Sequence, residues 1–128
     1  MNILDASAII ALLERESGHQ SVAESIAAGA AACAVNLAEV ASWLSRKGLS
    51  PTSIGRVVSG LPIRVFEVGG ELALAAGLLF PATRPFGLSL GDRFCLALAA
   101  RERQPVLTAD RIWQDVGPLI GVTVRLVR

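Results

Sequence analysis

Short aliphatic runs alternate with longer stretches whose apolar positions recur at helical spacing, from one end of the chain to the other. This alternation constrains the fold more than any other feature. Parallel strands need a crossover between them, usually a helix, so the pattern predicts an α/β chain with a mainly parallel sheet of four to five strands. The runs at 2–5, 32–35, 63–68, 105–108 and 122–127 read as strands. Residues 7–16, 19–29, 37–47, 71–80, 89–103 and 111–116 read as helices, and 85–88 as a loop. A further helix opens at Pro51 behind Ser50, a good N-cap. Gly18 and Gly48 break helices, and Pro81 is expected to end one. No repeat or linker interrupts the pattern, and 128 residues suit one domain, 1–128.

On that map, four carboxylates fall at strand ends or in first helical turns. Asp5 closes the first strand, Glu39 lies in the first turn of 37–47, Asp92 in the first turn of 89–103, and Asp110 follows 105–108. In open parallel sheets these places share one rim, where ligands bind. Capping is the competing explanation. Asn36/Glu39 and Ser89/Asp92 have capping-box spacing, and Asp5 and Asp110 suit N-caps. Capping does not explain why Asp92 heads the stripe Asp92, Cys95, Leu96, Ala99, which aims it toward the buried side while Arg93 and Arg101 project elsewhere. A carboxylate so placed needs donors or a cation. Clustered carboxylates repel one another, and a hard divalent ion relieves that repulsion.

Composition narrows the alternatives. Hydrophobic residues make up 52% and charged ones 18%, which excludes disorder. The net charge is +1, from 12 basic and 11 acidic residues; setting the four carboxylates aside leaves a basic excess of five, suited to a phosphate chain. No apolar run is long enough to cross a membrane. The N-terminus lacks a basic leader and cleavage site, so the expected location is the cytoplasm, with Cys33 and Cys95 as reduced, buried thiols. His19 is the only histidine, which removes two-histidine and Ser-His mechanisms, and no zinc spacing or phosphate-binding glycine loop occurs. Lys47, the only lysine, lies too early to serve a phosphorylated Asp5, against a phosphotransfer switch. A mean hydropathy of +0.54 leaves apolar surface to cover, predicting a homodimer with 71–80 as one candidate surface. Trp43, Trp113 and the four phenylalanines are expected in the core or an interface rather than as base-stacking platforms.

Four segments together carry a resemblance. They are Ile3-Leu-Asp5-Ala-Ser7-Ala, Val35-Asn36-Leu-Ala-Glu39-Val, Leu88-Ser89-Leu-Gly-Asp92-Arg-Phe-Cys-Leu-Ala-Leu-Ala and Val106-Leu-Thr108-Ala-Asp110-Arg-Ile-Trp113. In this order and spacing the chain resembles PIN-domain ribonucleases, most closely the VapC toxins of VapBC toxin–antitoxin pairs. The resemblance implies a three-layer α/β/α sandwich and Mg²⁺- or Mn²⁺-dependent endonucleolytic cleavage of single-stranded regions in structured RNA such as tRNA or rRNA. It implies Asp5, Glu39 and Asp92 as metal ligands, with Asp110 as a fourth. It also implies homodimers, and a VapB-type antitoxin whose C-terminal segment lies across the active groove. Ser7, Asn36, Ser89 and Thr108 could orient carboxylates, or make only local turn and cap hydrogen bonds. Arg93 and Arg111 adjoin the ligands as candidates for holding RNA phosphates, or are ordinary solvated arginines. A non-catalytic scaffold of the same fold is the remaining alternative; metal titration would separate it from the enzyme.

Overall fold

The computed structural model describes all residues, Met1–Arg128. Five strands form one parallel sheet in the order β3-β2-β1-β4-β5: β1 (Asn2–Leu4), β2 (Ala30–Cys33), β3 (Arg64–Phe66), β4 (Val106–Thr108) and β5 (Val124–Leu126). The chain starts at the centre, builds outward through β2 and β3, then returns to the other side of β1 for β4 and β5. The order therefore reverses between β1 and β4, the place where a crevice opens in a doubly wound sheet.

Successive side chains of a strand face opposite ways, and here both faces are dry. Leu4, Ala30, Ala32 and Leu107 share a cluster with Ala8, Ile9, Val22, Val40 and Leu44, on α1 (Ala6–Leu13), α2 (His19–Ala27) and α3 (Ala34–Arg46). Ile3, Ala31, Cys33 and Val106 face the other cluster. That one holds residues of α5 (Gly70–Leu78), α7 (Leu90–Glu102) and α8 (Trp113–Ile120). The expected three-layer sandwich is the architecture found. α4 (Pro51–Ser59) packs on α3, and α6 (Phe80–Thr83) with a 3₁₀ turn (Arg84–Phe86) links α5 to α7.

Several boundaries differ from the sequence reading. The second strand starts and ends two residues early, because Ala30–Ala32 are small enough to lie fully buried between two helical layers. The following helix consequently starts at Ala34, with Cys33 as its N-cap. Pro81 does not stop structure; it lies in the first turn of α6, where its missing N–H costs nothing. The last helix continues to Ile120, with Pro118 inside it. Helix α7 carries no single apolar stripe. Phe94 through Ala99 are all buried, because α7 lies against the sheet and is covered by α3 and α5.

Candidate active site

Asp5 follows β1 and caps α1, with Oδ1 accepting from the Ala8 amide at 2.8 Å. Two hydroxyls from opposite sides of the sheet reversal complete its shell. Thr108 Oγ1, at the end of β4, donates to Oδ2 at 2.6 Å, and Ser7 Oγ lies 2.7 and 2.9 Å from the two oxygens. The same hydroxyls hold the β4 exit, since Ser7 Oγ accepts from the Ala109 amide at 2.9 Å and Thr108 Oγ1 from the Asp110 amide at 3.1 Å. Asp5 is only 4% exposed. Burial raises its pKa to about 6 against the pull of these donors, and the charge of Asp92 adds to the rise. No basic side chain is among the causes.

Glu39 sits in the second turn of α3, a correction that follows from the earlier helix start. The Asn36/Glu39 capping box is therefore not formed. Instead Asn36 Nδ2, itself buried, donates to Glu39 Oε1 at 2.7 Å and to the Gly91 carbonyl at 3.1 Å, tying α3 to the start of α7. Gly91 is the residue that sequence reasoning passed over. A Cβ there would lie 2.5 Å from Glu39 Cδ, so the missing side chain is the space that the carboxylate occupies. The available signal was a glycine in a first helical turn, where alanine is better by about 1 kcal/mol. Burial is the main cause raising the Glu39 pKa, with Asp92 adding to it and Asn36 opposing.

Asp92 is half-buried and closes a capping box on α7: Oδ2 accepts from the Ser89 amide at 2.9 Å, and Ser89 Oγ accepts from the Asp92 amide at 3.2 Å. Its pKa is raised, by burial first and also by the charge of Asp110. Asp110 is exposed, and its Oδ1 accepts from the Ile112 amide at 3.1 Å.

The four carboxylates thus share one electrostatic neighbourhood, in which Asp92 repels Asp5 and Glu39 and feels Asp110. They do not form a ready ligand cage: no three acidic, histidine or cysteine side chains stand close enough together to hold a metal ion. The four stand around one rim rather than meeting at one point. Like charges repel, and Asp5, Asp92 and Asp110 each take the backbone donors of their own turn, the capping role weighed from sequence.

The donor set nevertheless fits a hard divalent cation. Every candidate ligand is an oxygen, three of the four carboxylates are shifted toward the neutral form, and the buried Asn36 Oδ1 beside Glu39 has no hydrogen-bond partner. Such a cation would supply the missing positive charge. Basic residues do not. Arg93 turns away, giving Nη1 to the Ala76 carbonyl at 3.3 Å and lying over the Phe80 ring. Arg111 is exposed and donates to the Arg128 carbonyl at 3.2 Å. Lys47 pairs with Glu14 at 2.5 Å and covers Trp43. Beneath the rim, Cys33 and Cys95 are free and buried, and burial raises both thiol pKa values.

Comparison with known proteins agrees with this architecture. The PIN domain family model matches residues 3–118. No curated protein matches the sequence significantly. Among solved structures, DNA-bound VapBC from Salmonella typhimurium has a TM-score of 0.75 at 16% identity, with 100% of both chains covered. VapC20 of Mycobacterium tuberculosis, described as a sarcin-ricin loop cleaving toxin, has a TM-score of 0.75 at 16% identity, covering 91% of this chain and 95% of that one. VapBC2 of Rickettsia felis, bound to a promoter DNA fragment, has a TM-score of 0.72 at 13% identity, covering 98% and 97%. At these identities the likeness is one of fold.

Proposed function

The chain belongs to the PIN-domain family, and on that premise we propose that it is a metal-dependent endoribonuclease, the toxin of a type II toxin–antitoxin pair. Its substrate is a single-stranded region of a structured RNA such as tRNA or rRNA, and cleavage inhibits translation and growth. The observation that carries this reading is Asp5: a buried carboxylate, oriented by the Ser7 hydroxyl at the start of α1 and the Thr108 hydroxyl at the end of β4, with acidic neighbours and no basic partner. A plain structural cap would gain nothing from such a position.

Asp5, Glu39 and Asp92 would hold Mg²⁺ or Mn²⁺, with Asp110 at the exposed side. Such a cation would supply Lewis acidity at these oxygens, offsetting charge on the phosphate and lowering the pKa of water. The chain's own part is orientation. Ser7 and Thr108 fix both Asp5 oxygens, Asn36 fixes Glu39, and the capping box positions Asp92 at the positive end of α7. The basic excess outside the site favours approach of a polyanion.

The toxin reading brings a VapB-type antitoxin as partner, and its support is the shared fold of the VapBC neighbours. An antitoxin tail that placed an arginine among Asp5, Glu39 and Asp92 would satisfy the same oxygens as the cation. A homodimer is supported by Leu74 and Leu78 of α5, which are 65% and 69% exposed. No helix is long and apolar enough to cross a membrane. The test is RNA cleavage by purified protein: activity with Mg²⁺ or Mn²⁺ that EDTA abolishes supports the reading. Activity surviving with metal content at zero contradicts it.

A further inference from the structure

Beside the N-terminal end of α7 lies a hollow that the carboxylate chemistry leaves unused. Phe80, which opens α6, is 49% exposed. Two guanidiniums flank its ring, Arg93 at 5.3 Å and Arg84 at 6.0 Å from the centroid. Neither arginine is in an ion pair; the molecule's two salt bridges are Lys47–Glu14 and Arg101–Glu102. Arg93 is half-buried, and its buried Nε has no acceptor. Like charges gathered on one ring without a carboxylate between them call for an anion. Phe80, Pro81, Arg84 and Pro85 line an open hollow of about 610 Å³. Arg93, in the first turn of α7, reaches this ring from outside the lining of the hollow.

We propose that this hollow is an RNA subsite, in which Phe80 stacks an unpaired base while Arg84, with Arg93 adding positive charge behind the ring, holds an adjacent phosphate. The proposal rests on the ribonuclease reading. It revises the sequence expectation for this one phenylalanine, which the core does not bury. A flat ring recognises any unpaired base through its π face, and the guanidinium fork matches phosphate oxygens. Together they select single-stranded nucleic acid over a duplex, whose bases are stacked on each other. A second copy of this chain is the competing occupant, since Leu74 and Leu78 are exposed on the preceding helix. Burying two unpaired guanidiniums in a protein interface is costly unless the partner brings carboxylates, whereas RNA brings its phosphates.

The test is fluorescence anisotropy of a labelled short single-stranded RNA in EDTA, where binding is read without cleavage, with sedimentation in parallel. Phe80→Leu keeps an apolar side chain but removes the ring, and should weaken binding roughly tenfold. Phe80→Trp should bind within a few-fold of wild type. Arg84→Gln should weaken binding and flatten the salt dependence by about one phosphate contact. Phe80→Leu binding like wild type overturns the subsite. So does a loss of RNA affinity that appears only together with a change of oligomeric state, since Phe80 then belongs to a protein interface. Wild-type protein that cleaves no RNA with any divalent cation overturns the ribonuclease reading itself; cleaving wild type beside a normally binding Phe80→Leu overturns the subsite alone.

Discussion

Asp5 and Asp92 are both acidic residues at the start of a helix, one its N-cap and the other in its first turn, yet their surroundings differ. Asp5 is held by Ser7 and the Ala8 amide of its own turn and also by Thr108, more than one hundred positions away, and is almost wholly buried. Asp92 is held by Ser89, three residues before it, and is half-buried. A local cap stabilises the helix whatever else the residue does. Asp5 also caps its own helix, but burial beyond what that cap needs keeps its charge in a place that raises the pKa to about 6. The Asp92 cap serves folding and the site together; the deep burial of Asp5 and its Thr108 bond go beyond what its cap of α1 requires.

Neutralising each residue in turn separates the two. Asp5→Asn and Asp92→Asn should each lower RNA cleavage by about a thousandfold or more, as loss of an oxygen ligand charge does. Their stabilities should part. Without divalent cation at pH 7.5, Asp5→Asn should raise stability by up to about 3 kcal/mol, the cost of ionising a group shifted from 3.8 to about 6. The Ser7 and Thr108 hydroxyls can rotate to suit the amide. Asp92→Asn should change stability little, since relief of repulsion is offset by the weaker cap. Equal stability changes in thermal melts would show that the two sites do not differ as described.

Proton linkage gives a second, smaller test. The folded state keeps the Asp5 proton up to about pH 6, while the unfolded chain releases it near 3.8. Stability from this group is therefore fully present below the unfolded pKa and is lost as pH rises through about 6. Metal-free protein should melt higher at pH 5 than at pH 7.5, and cleavage should rise with pH through the same range because cation and proton compete. Thr108→Val removes a 2.6 Å donor to the charged form without changing volume much. The acid limb of the rate profile should then move about one unit toward alkaline pH. An unmoved limb would assign the titration to another group.

Gly91→Ala should have the smallest effect. In an ordinary helix this change stabilises by about 1 kcal/mol. Here the new methyl meets the end of the flexible Glu39 side chain, which can swing aside. Melting temperature should hold or rise slightly, while Mn²⁺ affinity falls a few-fold as Glu39 leaves its Asn36 partner. Unchanged affinity would show that Glu39 does not need this position.

Much of this was legible in the sequence because it depends on local pattern. Alternating aliphatic runs and helical stretches give five parallel strands, and acids at strand ends fall on one rim of such a sheet. The errors lie where local pattern is silent. Ala30–Ala32 have little strand character of their own and are strand because two layers press on them, so the start of α3 and the turn holding Glu39 were displaced. Arg93 was placed by its neighbour in sequence, whereas its long side chain follows α5 and Phe80. Asn36 as a strap between α3 and α7, and Gly91 as room for Glu39, are contacts across more than fifty residues that no window of sequence contains.

Whether these carboxylates share a divalent cation is decided by calorimetric titration of Mn²⁺ into metal-stripped protein, with Asp5→Asn alongside. Saturable binding by wild type that disappears in Asp5→Asn, while the variant remains folded, is the predicted result. Equal binding by both proteins, or cleavage of RNA by wild type that binds no Mn²⁺ or Mg²⁺, would contradict it.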